Sequence, residues 1–234
     1  MKYYLIDYSA NATEPEWYRY DGRLTKGYNQ NSLNFNFLPN YDPVFVPIIL
    51  NLKRKRTDVL LRSLISGAGL TFNEKVKNIL LEHNLINTRF YELKVLQFVK
   101  GPNRGVEVDN PPKYFHMQIV TCDFWDWIDY EKSEFYIEDV INGNRYDISF
   151  KNAQDIKLKY SNIKHTSASS ECIKFKKLAM NNLFKSQEID MFYIWEIRTN
   201  PFPGILISEK LRERLVMENV TGLSSFIEVN IISS

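Results

Sequence analysis

Cysteine and histidine are both scarce in this sequence. Cys122 and Cys172 are the only cysteines in 234 residues, too few for the disulfide framework of a small secreted domain. This scarcity suits a reducing cytoplasm, and we predict two partly buried thiols in a cytoplasmic protein. The three histidines, His83, His116 and His165, show no metal-ligand spacing such as His-x-x-x-His. The sequence therefore predicts no metal site.

Long apolar runs are missing too. The best candidate, "VFVPIIL" (Val44 to Leu50), contains Pro47 and is far shorter than the roughly 20 residues that span a membrane. The opening "MKYYLIDYSANATEPEW" has only a short apolar stretch before acidic residues occur, unlike a secretory signal. We expect neither a membrane span nor a secretory leader.

Neither sign of charge dominates the sequence. Lys and Arg total 30 against 28 Asp and Glu, and the formal net charge of +2 implies no general affinity for nucleic acid or anionic lipid. In the most basic run, "KRKR" (Lys53 to Arg56), no aromatic residue is interleaved to stack on bases. The run is compatible with a solvated loop, a cationic patch that steers an acidic partner, or a nucleic-acid-binding regulator. We predict no nucleic-acid partner and no membrane partner.

Motifs for nucleotide binding and nucleophilic catalysis are absent. The nearest glycine cluster, "SGAG" (Ser66 to Gly69), lacks the Lys-Ser/Thr that reaches a bound phosphate. The chain has no Gly-x-Ser-x-Gly nucleophile elbow. These absences favour a protein that is not an enzyme and needs no cofactor.

The segment richest in polar and aromatic residues is "CDFWDWIDYEKSE", Cys122 to Glu134, in which carboxylates alternate with aromatic rings. Paired carboxylates with different pKa values perform acid–base catalysis, so a small hydrolase using Asp126 and Asp129 is one hypothesis. A partner-facing acidic and aromatic patch is a second. An ordinary solvated turn flanked by core aromatic residues is a third.

Aromatic residues are plentiful at 14% of the chain, whereas glycine and proline number nine each. This composition predicts a sheet-rich fold. Together with the helix patterns described below, it indicates an α+β fold with a mixed, mainly antiparallel sheet. Strands are expected at residues 2–7, 44–52, 89–98, 114–122, 134–140, 145–150, 155–160, 172–180, 191–197 and 224–232.

A candidate domain boundary lies at "GPNRGVEVDNPP", Gly101 to Pro112, which is dense in turn-forming residues. It predicts an N-terminal lobe over residues 1–100 and a C-terminal lobe over residues 113–234. One continuous domain is the alternative.

Two distant stretches share one pattern, "FNEKVKNILLEHNL" upstream and "ISEKLRERLVMENV" near the C-terminus. Each begins with an N-cap residue, Asn73 or Ser208, followed by Glu and Lys. Apolar residues then recur at helical spacing until an Asn, a residue that tolerates the left-handed conformation at helix ends. The pattern predicts amphipathic helices at about 73–84 and 208–219, each followed by a strand. The pair is either a duplicated binding element or two ordinary structural units.

The C-terminal segment "ILISEKLRERLVMENVTGLSSFIEV" resembles the C-terminal signature of a group of bacterial immunity proteins from polymorphic toxin systems. That signature runs as a hydrophobic strand, Ser-Glu-Lys-Leu, an amphipathic helix, then Thr-Gly-Leu and a strand. The upstream helix and "YFHMQIVTCDFWDWIDYEKSEF", with Asp129 and Ser133, are similar to the same group. The match runs from about residue 70 to the end. The signature positions here are Ser208, Glu209, Lys210, Leu211, Thr221, Gly222 and Leu223.

The resemblance implies an immunity protein that binds a cognate toxin domain and neutralises it by occlusion, without catalysis. Interfaces of this kind draw their energy from a few aromatic and Arg anchors ringed by polar contacts. We expect such anchors in two exposed segments. The predicted partner-binding residues are Trp17, Tyr18, Arg19, Tyr20, Trp125, Asp126, Trp127 and Asp129.

Overall fold

The computed structural model describes most of the chain from residue 68 onward and shorter pieces before it. Among the residues that the structure describes, no helix has the length and apolar composition of a membrane span. These residues are 2–9, 12, 16–17, 38, 45, 48–49, 56–60, 68–96, 110–120, 124–165, 171–194, 204–229 and 231–233.

The described elements are mostly strands in runs, with four α-helices between them. Up to residue 120 the elements are β1 (Tyr3–Tyr8), β2 (Glu16–Trp17), β3 (Ile48–Ile49), β4 (Ala68–Asn73), α1 (Glu74–Leu81), β5 (Thr88–Leu93), β6 (Val95–Leu96) and β7 (Tyr114–Ile119). Then follow a 3-10 helix (Phe124–Trp127), β8 (Glu134–Asp139), β9 (Arg145–Ile148), α2 (Ala153–His165), β10 (Glu171–Met180) and α3 (Asn182–Ser186). The last elements are β11 (Met191–Ile194), β12 (Gly204–Ser208), α4 (Glu209–Met217), β13 (Leu223–Val229) and β14 (Ile231–Ser233).

The described strands form sheets in the orders β11-β12-β1-β13, β14-β10-β8-β9, β4-β7-β5 and β2-β3-β6. Pairing is antiparallel except between β10 and β14 and between β3 and β6. The predicted α+β class with a mixed, mainly antiparallel sheet is therefore confirmed. Both predicted amphipathic helices are also present, as α1 and α4.

A strand–helix–strand unit occurs twice in the fold. In the first copy, β4, α1 and β5 are completed by β7, which lies between the two strands and antiparallel to both. In the second copy, β1 completes β12, α4 and β13 in the same way. The two similar stretches of sequence are thus the helices of one repeated structural unit.

The equivalence of the two copies extends to single hydrogen bonds. Tyr114 of β7 and Tyr3 of β1 each lie opposite the N-cap residue of a helix. The Tyr114 hydroxyl donates to the Thr57 carbonyl, and the Tyr3 hydroxyl donates to the Ile189 carbonyl, each at 2.8 Å. Burial, with a smaller contribution from a nearby carboxylate, raises the pKa of both phenols, that of Tyr114 to about 12. Both rings therefore stay neutral donors that fix the chain beside each helix.

Two large apolar clusters hold the fold together. One combines side chains from both repeated units, including Ile79 and Leu80 of α1 with Leu211 and Leu215 of α4. The other packs the sheet β14-β10-β8-β9 against the 3-10 helix, α2 and α3. Because α1 and α4 share one core, the two copies stabilise each other.

Strands from both sides of the predicted boundary at residues 101–112 share sheets. β1 pairs with β12 and β13, and β7 pairs with β4 and β5. One continuous domain accommodates this exchange of strands directly. The division into lobes 1–100 and 113–234 stays a prediction.

The strand predicted at residues 155–160 is wrong, because these residues lie in α2. Asn152 accepts hydrogen bonds from the backbone N–H groups of Gln154 and Asp155 and so starts a helix. Ile156 and Tyr160, four residues apart, then face the core. The alternating letters of "DIKLKY" fit a strand, but the wider spacing of the buried side chains is helical.

The helix ends differ slightly from the predicted bounds of 73–84 and 208–219. Asn219 has the expected left-handed conformation, with φ of 51°. In the first copy this conformation falls on Asn87, with φ of 47°, rather than on Asn84. Asn84 instead donates its side-chain amide to the Gln187 carbonyl at 2.6 Å, so its role is to hold the segment before β11.

Candidate functional site

Asp190 organises the start of α4. Ser208 caps this helix by accepting the Leu211 N–H at 3.2 Å, and its hydroxyl donates to Asp190 Oδ1 at 2.5 Å. The other carboxylate oxygen, Oδ2, accepts the Asn84 N–H at 3.0 Å. Lys210 Nζ lies 3.8 Å from the same oxygen. The carboxylate therefore connects the cap of α4 to the segment that follows α1.

Asp58 makes the equivalent contacts at the start of α1. Asn73 caps this helix and donates its side-chain amide to Asp58 Oδ1 at 2.7 Å. Oδ2 accepts the N–H and the hydroxyl of Thr221, both at 2.8 Å, and lies 3.8 Å from Lys75 Nζ. Burial acts to raise the pKa of Asp58, but the hydrogen bonds from Thr221 and Asn73 and the charge of Lys75 outweigh it and lower that pKa.

Gly222, the next residue of the signature, is required by a close backbone contact. Its φ is 98°, a left-handed conformation that side chains other than hydrogen rarely tolerate. A Cβ built there lies 2.1 Å from the Val59 carbonyl oxygen. Thr221 and Gly222 thus let β13 begin directly beside Asp58 and Val59. These two signature residues serve the fold.

A groove of about 640 Å³ opens beside Asp190. The signature residues Ser208, Glu209 and Lys210 form one wall of it. Acidic side chains outnumber basic ones along its lining, so the groove is an acidic surface. Its lining residues are Glu82, Asn84, Ser186, Gln187, Glu188, Asp190, Ser208, Glu209, Lys210 and Glu213.

The repeated unit offers an internal comparison for these acidic residues. Asp190, Glu209 and Lys210 have the same residue types at Asp58, Glu74 and Lys75 in the other copy. Three further carboxylates have no acidic counterpart. Glu82, Glu188 and Glu213 correspond to Met217, Arg56 and Asn78 when the two helices and the two aspartates are superposed in sequence. The repeated fold therefore does not require the extra carboxylates, which distinguish the surface at this end of the helix pair.

This arrangement suits recognition of cationic groups. Carboxylates on rigid backbone accept charge-assisted hydrogen bonds from Lys or Arg of a partner. Within the described ranges, no group of three or more His, Cys, Asp or Glu side chains is placed to hold a metal ion.

The prediction that Trp125 and Trp127 are exposed is wrong. The two residues are 4% and 8% exposed. Trp125 stacks on Phe124 with ring centroids 4.4 Å apart, and Trp127 lies 5.4 Å from Phe184. The 3-10 helix buries the adjacent Phe124 and Trp125 together with Trp127, whereas a strand would have placed Phe124 and Trp125 on opposite faces. The predicted role of the two tryptophans in partner binding stays a prediction.

Asp126 and Asp129 occupy different surroundings. Asp126 is exposed and lines a hollow of about 420 Å³ together with Lys151 and Asn152. Asp129 accepts the Lys132 N–H at 3.3 Å and lies 3.2 Å from Lys132 Nζ, so its carboxylate closes a turn. Only Asp126 lines this hollow. The hydrolase hypothesis and the partner-binding hypothesis for these residues both stay predictions.

The N-terminal candidates are only partly described. Trp17 belongs to β2, where it pairs with Ile48 through the backbone. Tyr18, Arg19 and Tyr20 lie outside the described residues. The carboxylates of the groove were not among the predicted site residues. They come from three distant segments, and no local motif in the sequence connects them.

No protein-family model matches this chain, and no curated protein matches it significantly. The function is therefore proposed from the site and the sequence resemblance.

Proposed function

We propose that this chain is an immunity protein that binds a cognate toxin domain and neutralises it by occlusion. The acidic groove beside Asp190 is the proposed contact surface. The partner surface carries Lys or Arg side chains that enter the groove. The proposal extends the resemblance by assigning the contact to a defined surface.

One observation carries the proposal: the family-like Ser208-Glu209-Lys210 wall borders a groove whose extra carboxylates the repeated fold does not require. Residues shared by both copies serve helix capping and unit docking. Glu188 and Glu213 occur in one copy only, so a requirement outside the fold accounts for them better than the fold does.

The groove is also held in shape before any partner arrives. Asp190 is 4% exposed and bonded to Ser208 and Asn84, so it anchors the floor between two helices. Asn84 additionally bonds the Gln187 carbonyl, which positions the Glu188 segment. Preorganised groups lose little conformational entropy on binding, and complementary charge accelerates encounter. Both effects favour rapid capture of a toxin.

Co-expression with the C-terminal domain of the protein encoded by the adjacent gene tests the proposal. The domain should be toxic alone and tolerated when this protein is present. The double variant Glu188→Gln/Glu213→Gln should lose most of this protection, and Glu92→Gln/Glu134→Gln, a matched pair of exposed carboxylates elsewhere, should keep it. Equal toxicity with and without the wild-type protein contradicts the immunity function for that pair. Full protection by the groove variant contradicts the assigned surface.

A further inference from the structure

Among the described strands, β9 is an edge strand of the sheet β14-β10-β8-β9. Of the strands that the structure describes, only β8 pairs with it, in the register Glu138↔Arg145 to Phe135↔Ile148. Arg145, Tyr146 and Asp147 are all exposed. An exposed strand edge presents unpaired backbone donors and acceptors, which another strand can complete.

Strands β8 and β9 form a hairpin, and a hydrogen bond at its turn shows which backbone groups of β9 face away from β8. The Asp139 N–H donates to the Asn144 carbonyl at 2.9 Å, so Asn144 faces β8. Backbone direction alternates along a strand, and Tyr146 and Ile148 therefore also face β8. The N–H and carbonyl groups of Arg145 and Asp147 point to the open side.

These same two residues carry opposite charges on one face of the sheet. Arg145 pairs with Glu138 of β8, with its Nη2 2.6 Å from the carboxylate. Asp147 pairs with Lys176 of β10 at 2.5 Å. Because residues two apart share a face, the edge presents one positive and one negative group beside each other.

Of the two-fold axes centred on the three exposed residues of β9, one gives a register that suits both backbone and charge. With the two-fold axis at Tyr146, Arg145 of each copy lies opposite Asp147 of the other. Both residues have outward backbone groups, so each pair exchanges two hydrogen bonds. Axes at Arg145 or at Asp147 place like charges opposite each other, which is destabilising. A two-fold axis that falls between two residues pairs a residue whose backbone groups face outward with one whose backbone groups face β8.

We propose that two copies of this chain associate through β9 as an antiparallel, two-fold dimer centred on Tyr146. Negative and positive side chains then alternate across the dimer interface, from Glu138 and Arg145 of one copy to Asp147 and Lys176 of the other. The dimer continues the sheet of one copy into that of the other and goes beyond toxin binding.

Sedimentation velocity on the full chain tests the dimer through a charge-reversal pair. Asp147→Lys alone and Arg145→Glu alone put like charges opposite each other in both pairs, so each variant should dissociate about tenfold more readily than the wild type or more. Mixed together, the two variants restore opposite charges at every position and should form a heterodimer. Glu131→Lys, an exposed charge reversal away from β9, should dimerise like the wild type.

A wild-type chain that is monomeric up to about 100 µM overturns the proposal. So do an undiminished Asp147→Lys dimer and two folded variants that fail to associate on mixing. If Arg145→Glu does not fold, Asp147→Pro replaces it, because proline removes an outward N–H and leaves the bonds to β8 in place. An unchanged dimer of this proline variant also overturns the proposal.

Discussion

Thr221 and Asp58 bind each other across the junction of the two repeated units. The Thr221 N–H and hydroxyl both donate to Asp58 Oδ2 at 2.8 Å, and the Thr221 hydroxyl accepts the Asp58 N–H at 2.9 Å. Thr221 follows α4, whereas Asp58 supports the N-cap of α1. A single threonine thus joins the end of one copy to the start of the other.

Thr221→Val removes the hydroxyl while keeping the shape of the side chain. The Asp58 N–H and part of its carboxylate then lose partners, and the free energy of unfolding should fall by about 1–3 kcal/mol. Thr221→Ser retains the hydroxyl and should recover most of this loss. Urea unfolding of the three proteins measures the effect. Equal stability of the Val variant and the wild type contradicts the role assigned to this contact.

Gly222→Ala should be strongly destabilising. Gly143 provides a matched control, because its φ is also positive, at 72°, yet a Cβ there meets nothing within 4 Å. Gly143→Ala should lower the free energy of unfolding by only about 1–2 kcal/mol, because alanine is less stable than glycine in the left-handed conformation. Gly222→Ala adds the collision with the Val59 carbonyl and should cost at least about 2 kcal/mol more. Similar thermal unfolding of the two variants contradicts the proposed close contact.

Trp125→Ala and Trp127→Ala should each reduce the free energy of unfolding by about 3–5 kcal/mol, since both rings are buried among aromatic side chains. Asp126→Asn lies between them but is exposed, and it should leave stability nearly unchanged. Chemical denaturation followed by circular dichroism measures all three variants. Wild-type stability in either Trp variant would show that the indole is not part of the core.

His116 should make stability depend on pH below about 6.5, and its effect is separate from that of the carboxylates above about pH 5. It is fully buried, and this burial lowers its pKa from 6.5 to about 3. The unfolded chain therefore binds the proton more readily. The contribution of His116 to the free energy of unfolding is fully present above pH 6.5. It falls by about 1.4 kcal/mol per pH unit below pH 6.5, toward pH 3. His116→Gln should lack this contribution between pH 6.5 and 5, and parallel stability curves for the two proteins would contradict it.

The sequence was sufficient to predict the two helices and the fold class. Helix capping depends on residues close together in sequence, so Asn73 and Ser208 with the residues that follow them predict the two helices. The mainly antiparallel pairing followed from many short aromatic and β-branched segments. By contrast, "DIKLKY" satisfies both the strand period and the helical spacing of Ile156 and Tyr160. Only its packing against the aromatic core decides for a helix.

The proposed contact surface could not be predicted in the same way. Asp58 and Asp190 each contact a nearby N-cap residue, but the remaining hydrogen-bond partners of their side chains, Thr221 and Asn84, lie more than 100 positions away in sequence. Glu188 and Glu213 become neighbours in a groove through this long-range packing. The two tryptophans looked like exposed anchors because carboxylates flank them. The 3-10 helix, which turns them inward, has no strong local signal.

Calorimetric titration of the purified toxin domain into this protein tests the assigned surface most directly. The wild type and Glu92→Gln/Glu134→Gln should bind with the same affinity. The affinity of Glu188→Gln/Glu213→Gln should be at least about tenfold lower. The difference should shrink at high salt, where charge is screened. Equal affinities for the groove variant and its control, or no binding by the wild type, would contradict toxin capture by the acidic groove.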